Sequence, residues 1–405
     1  MTRSETLRED ARALQGELVE LRHRLHRRPE VGLHLPRTQE TVLAALDGLD
    51  LEVSTGTSTT SVTAVLRGGR PGPAVLLRGD MDALPVQEET GLDYSSEVDG
   101  VMHACGHDLH TAMLVGAARL LHAHRDTLAG DVVLMFQPGE EGWDGAGHML
   151  AEGVLDAAGQ RVSSAYGMHV MSAVHPHGEF TTRPGTLMAA SDELRVTVRG
   201  EGGHGSAPHL ARDPITVAAQ LVGDLQTMVT RTFDVFDPVV VTVGLFRGGT
   251  KRNIIPDEAS FQATVRTFSA AARERVREAS VRLCESVAAG YGLTADVEFI
   301  EEYPVTVNAP DHAAFAAGVA AEVFGEQRYA PRVSPLTGSE DFSRVLEEVP
   351  GCYVFLGAAV GGDHRTAPNN HSPRARFSDD VLSDGVLLHA ELAARALDRD
   401  AAAAG

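Results

Sequence analysis

Basic residues are scarce in this chain: 35 Lys and Arg stand against 56 Asp and Glu, a formal net charge of −21 at pH 7. Phosphate recognition rests on basic surface, so this balance argues against nucleic acid as a partner and speaks to solubility instead. Cysteine is scarcer still. Cys105, Cys284 and Cys352 are an odd, widely spaced set in 405 residues, so no disulfide framework is implied. A reducing interior suits a thiol that must serve as a thiolate ligand. No uninterrupted apolar run approaches the roughly 20 residues of a membrane helix. Residues 1–25 scatter charge throughout and lack the apolar stretch of a secretory signal, and their glutamates speak against an organelle transit peptide. A cytoplasmic protein with no membrane partner is expected.

Several motifs are missing too. There is no HExxH helix and no H-x-E with P-C-x-x-C, which a zincin or a nucleobase deaminase would show. Neither a P-loop Gly-Lys-Ser/Thr run nor a GxGxxG between strand and helix is present, which argues against those nucleotide-binding classes.

What is there is an ordinary globular composition, 43% hydrophobic and 22% charged, in a chain long enough for two or three domains. Leu7, Leu14, Leu18, Leu21 and Leu25 recur at helical spacing over residues 5–27 until Pro29 ends the run, and a second helix is expected over 38–46. Residues 61–66 and 74–77 read as strands, the second delivering Asp80 and Asp82 to a loop. Beyond a His-rich run, 111–123 reads as a helix, and 132–136 and 164–169 as apolar strands, the first of the kind buried in a sheet core. This alternation predicts an α/β domain with ligands at the carboxyl ends of its strands.

The rhythm changes at Arg183-Pro184-Gly185. Strand 192–199, helix 213–231, strands 239–246 and 258–267, helix 270–289 and strand 294–301 follow, a ferredoxin-like β-α-β-β-α-β order. After Tyr303-Pro304 come helices at 311–323 and 340–348, a strand at 352–356 and a closing helix at 379–397. The expected organisation is a discontinuous domain, 1–183 and 303–405, interrupted by an inserted domain, 184–302.

The densest chemistry lies in Met102–Thr111, MHACGHDLHT, where His103, Cys105, His107, Asp108 and His110 crowd together. Imidazole, thiol and carboxylate each offer a lone pair to a metal once deprotonated. Cys105 and His107 lie two apart, so on an extended segment both side chains would face one site. A solvated loop, a buried free cysteine, or a cysteine nucleophile with a histidine base are the alternatives. Glu140-Glu141, directly after the most apolar strand, would point in opposite directions on leaving it, one able to ligate a metal and the other to act as general base. An acidic turn in solvent is the plainer reading of that pair.

His169 closes the strand 164–169, and His371 sits in a loop held by Pro368 and Pro373. Each alone is weak. With Cys105, His107 and Glu141 they would come from four strand ends of one α/β unit, more ligands than a structural zinc site needs and enough for a pair of metals. Asp82 could fix the tautomer of a ligand imidazole, or merely cap its own loop. The Gly-rich stretch 200–209, GEGGHGSAPH, could cradle an anion or be a flexible loop.

Taken together, the chain resembles the aminoacylase and hippurate-hydrolase branch of the di-metal amidohydrolases and exopeptidases, which includes bacterial N-acyl-amino-acid amidohydrolases and the plant hydrolases of auxin conjugates. The resemblance runs nearly end to end, through LHRRPEVG, RGDMDALPVQE, MHACGHDLHT, FQPGEEG, GMHV, GGHGSAPH, GGTKRNIIPDE, GSEDFS and HSPRARF. It implies a mixed-sheet, zinc-exopeptidase-like α/β catalytic domain carrying a ferredoxin-like α+β insert that mediates dimerisation. Two divalent cations, zinc, manganese, cobalt or nickel, would be held by Cys105, His107, Glu141, His169 and His371. Glu140 would be general base and acid, and Asp82 would orient the metal centre. His204 would reach the active site of a partner subunit to polarise the scissile carbonyl, and Asn253 would help bind the substrate, an N-acyl amino acid. Glu340 and Asp341 match the motif GSEDF but receive no role.

One departure stands out: Trp143 and Asp144 interrupt the branch's usual Gly-rich continuation after Glu-Glu, which bears on acyl-group preference and not on hydrolysis. A dipeptidase or carboxypeptidase of the same fold, a cysteine hydrolase using Cys105, and a non-catalytic binding protein are the rival readings. Retention of Glu140 weighs against the last.

Overall fold

A computed structural model describes residues 2–404. The chain divides into two compact units: one runs to Gly185 and resumes over Val307–Val333 and from Arg344 onward, and the other comprises Thr186–Thr306 with Ser334–Ser343. The short segment Ser334–Ser343 therefore groups with the inserted unit, although the sequence reading leaves it in the first.

The first unit is built on a mixed sheet of eight strands: β1 Glu52–Thr55, β2 Val62–Leu66, β3 Ala74–Asp80, β4 Asp131–Gln137, β5 Ser164–Met171, β6 Phe180–Thr182, β7 Tyr329–Pro331 and β8 Gly351–Gly357. Their order is β1-β2-β4-β3-β5-β8-β6-β7. At its centre β4, β3, β5 and β8 run parallel, so four neighbouring carboxyl ends open on one edge. Every residue of β3 and β8 is buried, as expected of strands covered on both faces.

Helices supply that cover: α1 Arg3–Ala13, α2 Gln15–Arg27, α3 Pro36–Leu46, α4 His107–Ala123, α5 Gly145–Ala151, α6 Pro310–Phe324 and α7 Leu382–Ala404. One apolar core joins Leu18 of α2, Leu114 of α4, Leu77 of β3, Leu134 of β4 and Val386 of α7, all within 1% of full burial. Each such side chain contributes about 1.5–3 kcal/mol over leaving it in water.

The expected helix over 5–27 is two helices with a break at Leu14, whose N–H is shared between Asp10 and Ala11 carbonyls. Strand β1 escaped the sequence reading because all of its residues are exposed and carry no apolar alternation. Helix α4 starts at His107, four residues before its expected start.

In the second unit, Ala190–Arg199, Val239–Gly248, Glu258–Thr267 and Thr294–Tyr303 form an antiparallel sheet with Ala190–Arg199 and Glu258–Thr267 at its centre. Burial alternates along Glu258–Thr267, and its inward Phe261 and Val265 pack with Leu221 of helix Pro214–Thr232 and Val276 of helix Ala270–Gly290. Both helices are capped by side chains, Asp213 accepting from Ile215 N–H and Ser269 from Ala272 N–H. The order is β-α-β-β-α-β, the ferredoxin-like arrangement.

Candidate metal centre

At the carboxyl edge of β4, β3, β5 and β8 the chain gathers its thiol, imidazoles and carboxylates. Cys105 Sγ lies 3.4 Å from His169 Nε2 and 3.2 Å from His371 Nε2. Glu141 Oε1 stands 3.0 Å from His371 Nε2. Cys105, His107 and His169 present ligand atoms within 4.8 Å of one another, as do Cys105, Glu141 and His371, and His107, Glu140 and Glu141. The six side chains therefore form one interlocking cluster, although they are far apart in sequence.

Two local expectations need correction. Cys105 and His107 do not share an extended segment: Gly106 between them adopts a left-handed turn (φ 87°), and His107 is the first residue of α4. They meet because the chain turns sharply there, and they belong to a helix start, not to a strand end. A side chain at Gly106 would put its Cβ 2.5 Å from Val170 Cγ2, so only glycine fits. Nor do Glu140 and Glu141 diverge. They leave the strand through a turn with positive φ at Gly139 and Gly142, which brings both carboxylates toward His107.

Asp82 holds that turn. Its Oδ1 and Oδ2 accept the main-chain N–H groups of Glu140 and Glu141, each at 3.0 Å, and Oδ1 stands 3.4 Å from His107 Nδ1. The same His107 nitrogen lies 2.9 Å from the Asp82 carbonyl, which fixes a proton on Nδ1 and makes Nε2 the nitrogen that can ligate.

Sequence reasoning missed three contributors. Asp80, at the end of β3, sits 2.5 Å from His110 Nδ1 and accepts from Arg78 Nη1 at 2.6 Å. Its position two before Asp82 at a strand end was the available signal. Asn370 donates to the carbonyls of Cys105 (3.2 Å) and Val170 (3.1 Å), tying the His371 loop to the site, while His371 itself takes a left-handed backbone (φ 69°). A buried ion pair, Arg22 with Asp108, lies behind the turn. Nothing in a one-dimensional pattern marks Asn370.

Burial and the neighbouring charges shift the titratable groups of the cluster in opposite directions. Burial disfavours the charged His107 ring, yet the carboxylate of Asp80, with Cys105 and Asp82, holds its pKa well above the ordinary value. The close Cys105 thiol and Glu141 carboxylate outweigh burial and raise His371 to about 10. Burial, then His110, drives His169 well down. The Arg78, His107 and His110 charges outweigh burial and keep Asp80 ionised far below the usual range.

Whether the residues suit a metal can be judged from their unmet valence. His107 Nε2 and Glu141 Oε1 are buried and accept no hydrogen bond; the approach of His371 to Glu141 is close but off the hydrogen-bonding line. Two buried polar atoms left without hydrogen bonds beside a thiol and two further imidazoles are costly without a cation and natural with one. The donor set fits.

The other proposed residues lie in the second unit. Gly203–His204 pairs with Ile254–Ile255, and Gly205 N–H donates to the Asn253 carbonyl at 2.9 Å, which brings His204 and Asn253 side by side. His204 and Asn253 are exposed. The stretch 200–209 is thus partly paired, not simply a flexible loop. Glu340 and Asp341 fall in that unit's segment Ser334–Ser343. In the first unit Trp143 is half exposed (52%) and its indole lies over Gly32.

This chain is similar to known proteins along most of its length. The family model described as peptidase family M20/M25/M40 matches residues 76–395. Thermostable carboxypeptidase 1 of Saccharolobus solfataricus is 38% identical over 395 residues, covering 96% of this chain and 98% of the relative. An N-acetylcysteine deacetylase of Bacillus subtilis is 36% identical over 390 residues, covering 96% and 98%. The crystal structure of a dinuclear metal binding peptidase from the M20 family, also of Bacillus subtilis, matches with a TM-score of 0.82 at 33% identity, over 96% of this chain and 99% of that one.

Proposed function

Because this chain belongs to peptidase family M20/M25/M40, we propose that it is a metal-dependent amidohydrolase that cleaves N-acyl amino acids into a carboxylic acid and an amino acid. The observation that carries the reading is the convergence of Cys105, His107, Glu141, His169 and His371 with a sixth group, Glu140, beside them. Five donors, which with Glu140 make up three overlapping sets, suit a pair of divalent cations, and the dinuclear relative supports that number. Mixed thiol, imidazole and carboxylate ligands accept zinc, manganese, cobalt or nickel.

Bound there, such cations supply acidification of a water, whose pKa falls from about 15.7 to near 7 at zinc sites, and polarisation of a carbonyl. Glu140 takes the proton of the attacking water and returns it to the departing amine, which needs one carboxylate free of ligation. Asp82 keeps Glu140 and Glu141 on opposite duties by anchoring both of their main-chain N–H groups. His204 of the partner subunit polarises the scissile carbonyl and Asn253 helps bind the substrate, with the inserted unit joining two copies into a dimer.

We propose a cytoplasmic setting, whose reducing conditions would keep the Cys105 thiol available as a ligand. No described helix is long and apolar enough to cross a membrane.

The carboxypeptidase relative favours a second reading, hydrolysis of free-amino peptides by the same centre. Purified enzyme loaded with each metal in turn, and offered N-acetyl and N-benzoyl amino acids beside dipeptides and longer free peptides, separates the two. Turnover of the acylated substrates is expected; cleavage confined to free-amino peptides would transfer the assignment to the peptidase reading.

A further inference from the structure

Residues 81–106 carry Cys105 to the site, and within that stretch there is no helix and only an isolated bridge between Leu84 and Met102. Something else must hold so irregular a segment to sub-ångström tolerance. The fully buried Arg22, on α2, is placed to do it. Its Nε donates to Asp108 Oδ2 at 2.7 Å, and its Nη1 donates to Tyr94 OH at 2.6 Å and to Asp379 Oδ1 at 2.9 Å. The guanidinium carbon lies 4.7 Å from the Tyr94 ring centroid. One helical turn on, His26 Nδ1 meets the same Asp108 oxygen at 2.8 Å, and its Nε2 faces Glu88 Oε1 at 3.4 Å. Glu88 in turn accepts from Ser96 N–H at 2.7 Å and from the Thr90 hydroxyl.

The network thus grips the irregular segment at Glu88, Tyr94 and Ser96 and grips the residue directly after His107. We infer that Arg22, Asp108 and His26 form a positioning unit that sets the Cys105–His107 turn for metal capture, an inference that rests on the metal reading above. Stability alone is a poor account of it. Buried ion pairs are often replaceable by apolar side chains of similar volume at no cost, or with a gain. What such side chains cannot reproduce is direction: a planar guanidinium with fixed donors imposes angles on three partners at once.

The test exploits that difference. Arg22→Met/Asp108→Leu, prepared as the full-length chain, is compared with wild type for melting temperature, for zinc affinity by competition with a chelator, and for the ligand-field spectrum of the cobalt-loaded protein. A positioning role predicts a melting temperature near or above wild type, zinc affinity weaker by about 10–100-fold, and an altered cobalt spectrum. Wild-type zinc affinity and an unchanged spectrum in the folded double variant would overturn the positioning role while leaving the metal reading intact. Should wild type itself bind no zinc, cobalt, manganese or nickel, the metal reading fails and takes this inference with it. If the double variant does not fold, Arg22→Lys carries the test: it keeps the charge and loses the fork, so weakened zinc binding supports the inference and wild-type binding overturns it.

Discussion

Asp82 Oδ1 accepts the main-chain N–H of Glu140 at 3.0 Å, so a side chain just beyond one strand fixes the backbone just beyond its neighbour. The other oxygen does the same for Glu141, at 3.0 Å. Asparagine can present only one acceptor oxygen to these two donors, and its amide would meet the second N–H donor to donor. Asp82→Asn is therefore expected to destabilise the protein by about 1–3 kcal/mol and to weaken metal binding by roughly 10–100-fold. Thermal melts with and without added metal, and metal titration, check both; a variant that melts and titrates like wild type would show that Asp82 only caps its loop.

On the proposed mechanism Glu140 and Glu141 divide one motif into two tasks, and substitution should separate them. Glu140→Gln keeps the size and loses the base, so it is expected to retain metal and lose about 10²–10⁴ in kcat. Glu141→Gln should lose metal first. Metal content by mass spectrometry beside kcat distinguishes these outcomes, and full activity in Glu140→Gln would assign the base elsewhere.

Gly106 offers a purely steric test. Its left-handed backbone costs an L side chain about 1–2 kcal/mol, and the added Cβ would in addition stand 2.5 Å from Val170 Cγ2. Gly106→Ala is expected to lower the melting temperature and reduce bound metal together, because the turn and the site are one structure. Unchanged metal stoichiometry would mean that the Cys105–His107 geometry tolerates a different turn.

How much of this was legible beforehand depended on whether a residue's role left a periodic trace. Glu258–Thr267 was readable because one face of that strand is buried and the other is not, so its side chains alternate. The residues of the cluster were readable from chemistry, since Cys, His and Glu are unusual neighbours. The turn at Gly106 was not, because a left-handed residue between Cys105 and His107 has the same spelling as an extended one. Arg22 and His26 were hidden differently: they continue the inward stripe of Leu18, Leu21 and Leu25, where charged residues are ordinarily assigned to solvent. Only the fold supplies the Asp108 that lets them stay inside.

That buried network should also shape the acid response. Burial acts to raise the Glu88 pKa, but His26, Thr90 and Ser96 bring it down to about 2, and Arg22 and His26 likewise outweigh burial to hold Asp108 well below the carboxylate range. A lowered carboxylate contributes stability above its unfolded pKa and loses it as pH falls through the folded one. His26 moves the other way: Asp108 overcomes burial and raises it, so its contribution is complete below 6.5 and fades as pH rises through the folded value. The network is at full strength between 4.5 and 6.5. Chelator-treated protein should therefore lose melting temperature below about pH 4.5, and Glu88→Gln should lose it less steeply. Superimposable acid limbs would remove Glu88 from the account.

The second unit yields the sharpest catalytic test. Ser206 N–H and hydroxyl both point at His204 Nδ1, at 3.2 and 2.8 Å. An N–H can only donate, so Nδ1 is the acceptor and Nε2 is the ring's donor, on an exposed side chain. That is the tautomer required of a group that must donate to a developing oxyanion. Losing one such donor typically costs about 2.7–4 kcal/mol of barrier, or 10²–10³ in kcat. His204→Ala is expected to fall by that factor with metal content and melting temperature unchanged. Ser206→Ala, which leaves the main-chain N–H in place to hold the tautomer, should lose far less. Comparable losses in the two variants would place the hydroxyl, and not the imidazole, in the chemistry, and near-normal turnover by His204→Ala would leave polarisation of the carbonyl to the metals alone.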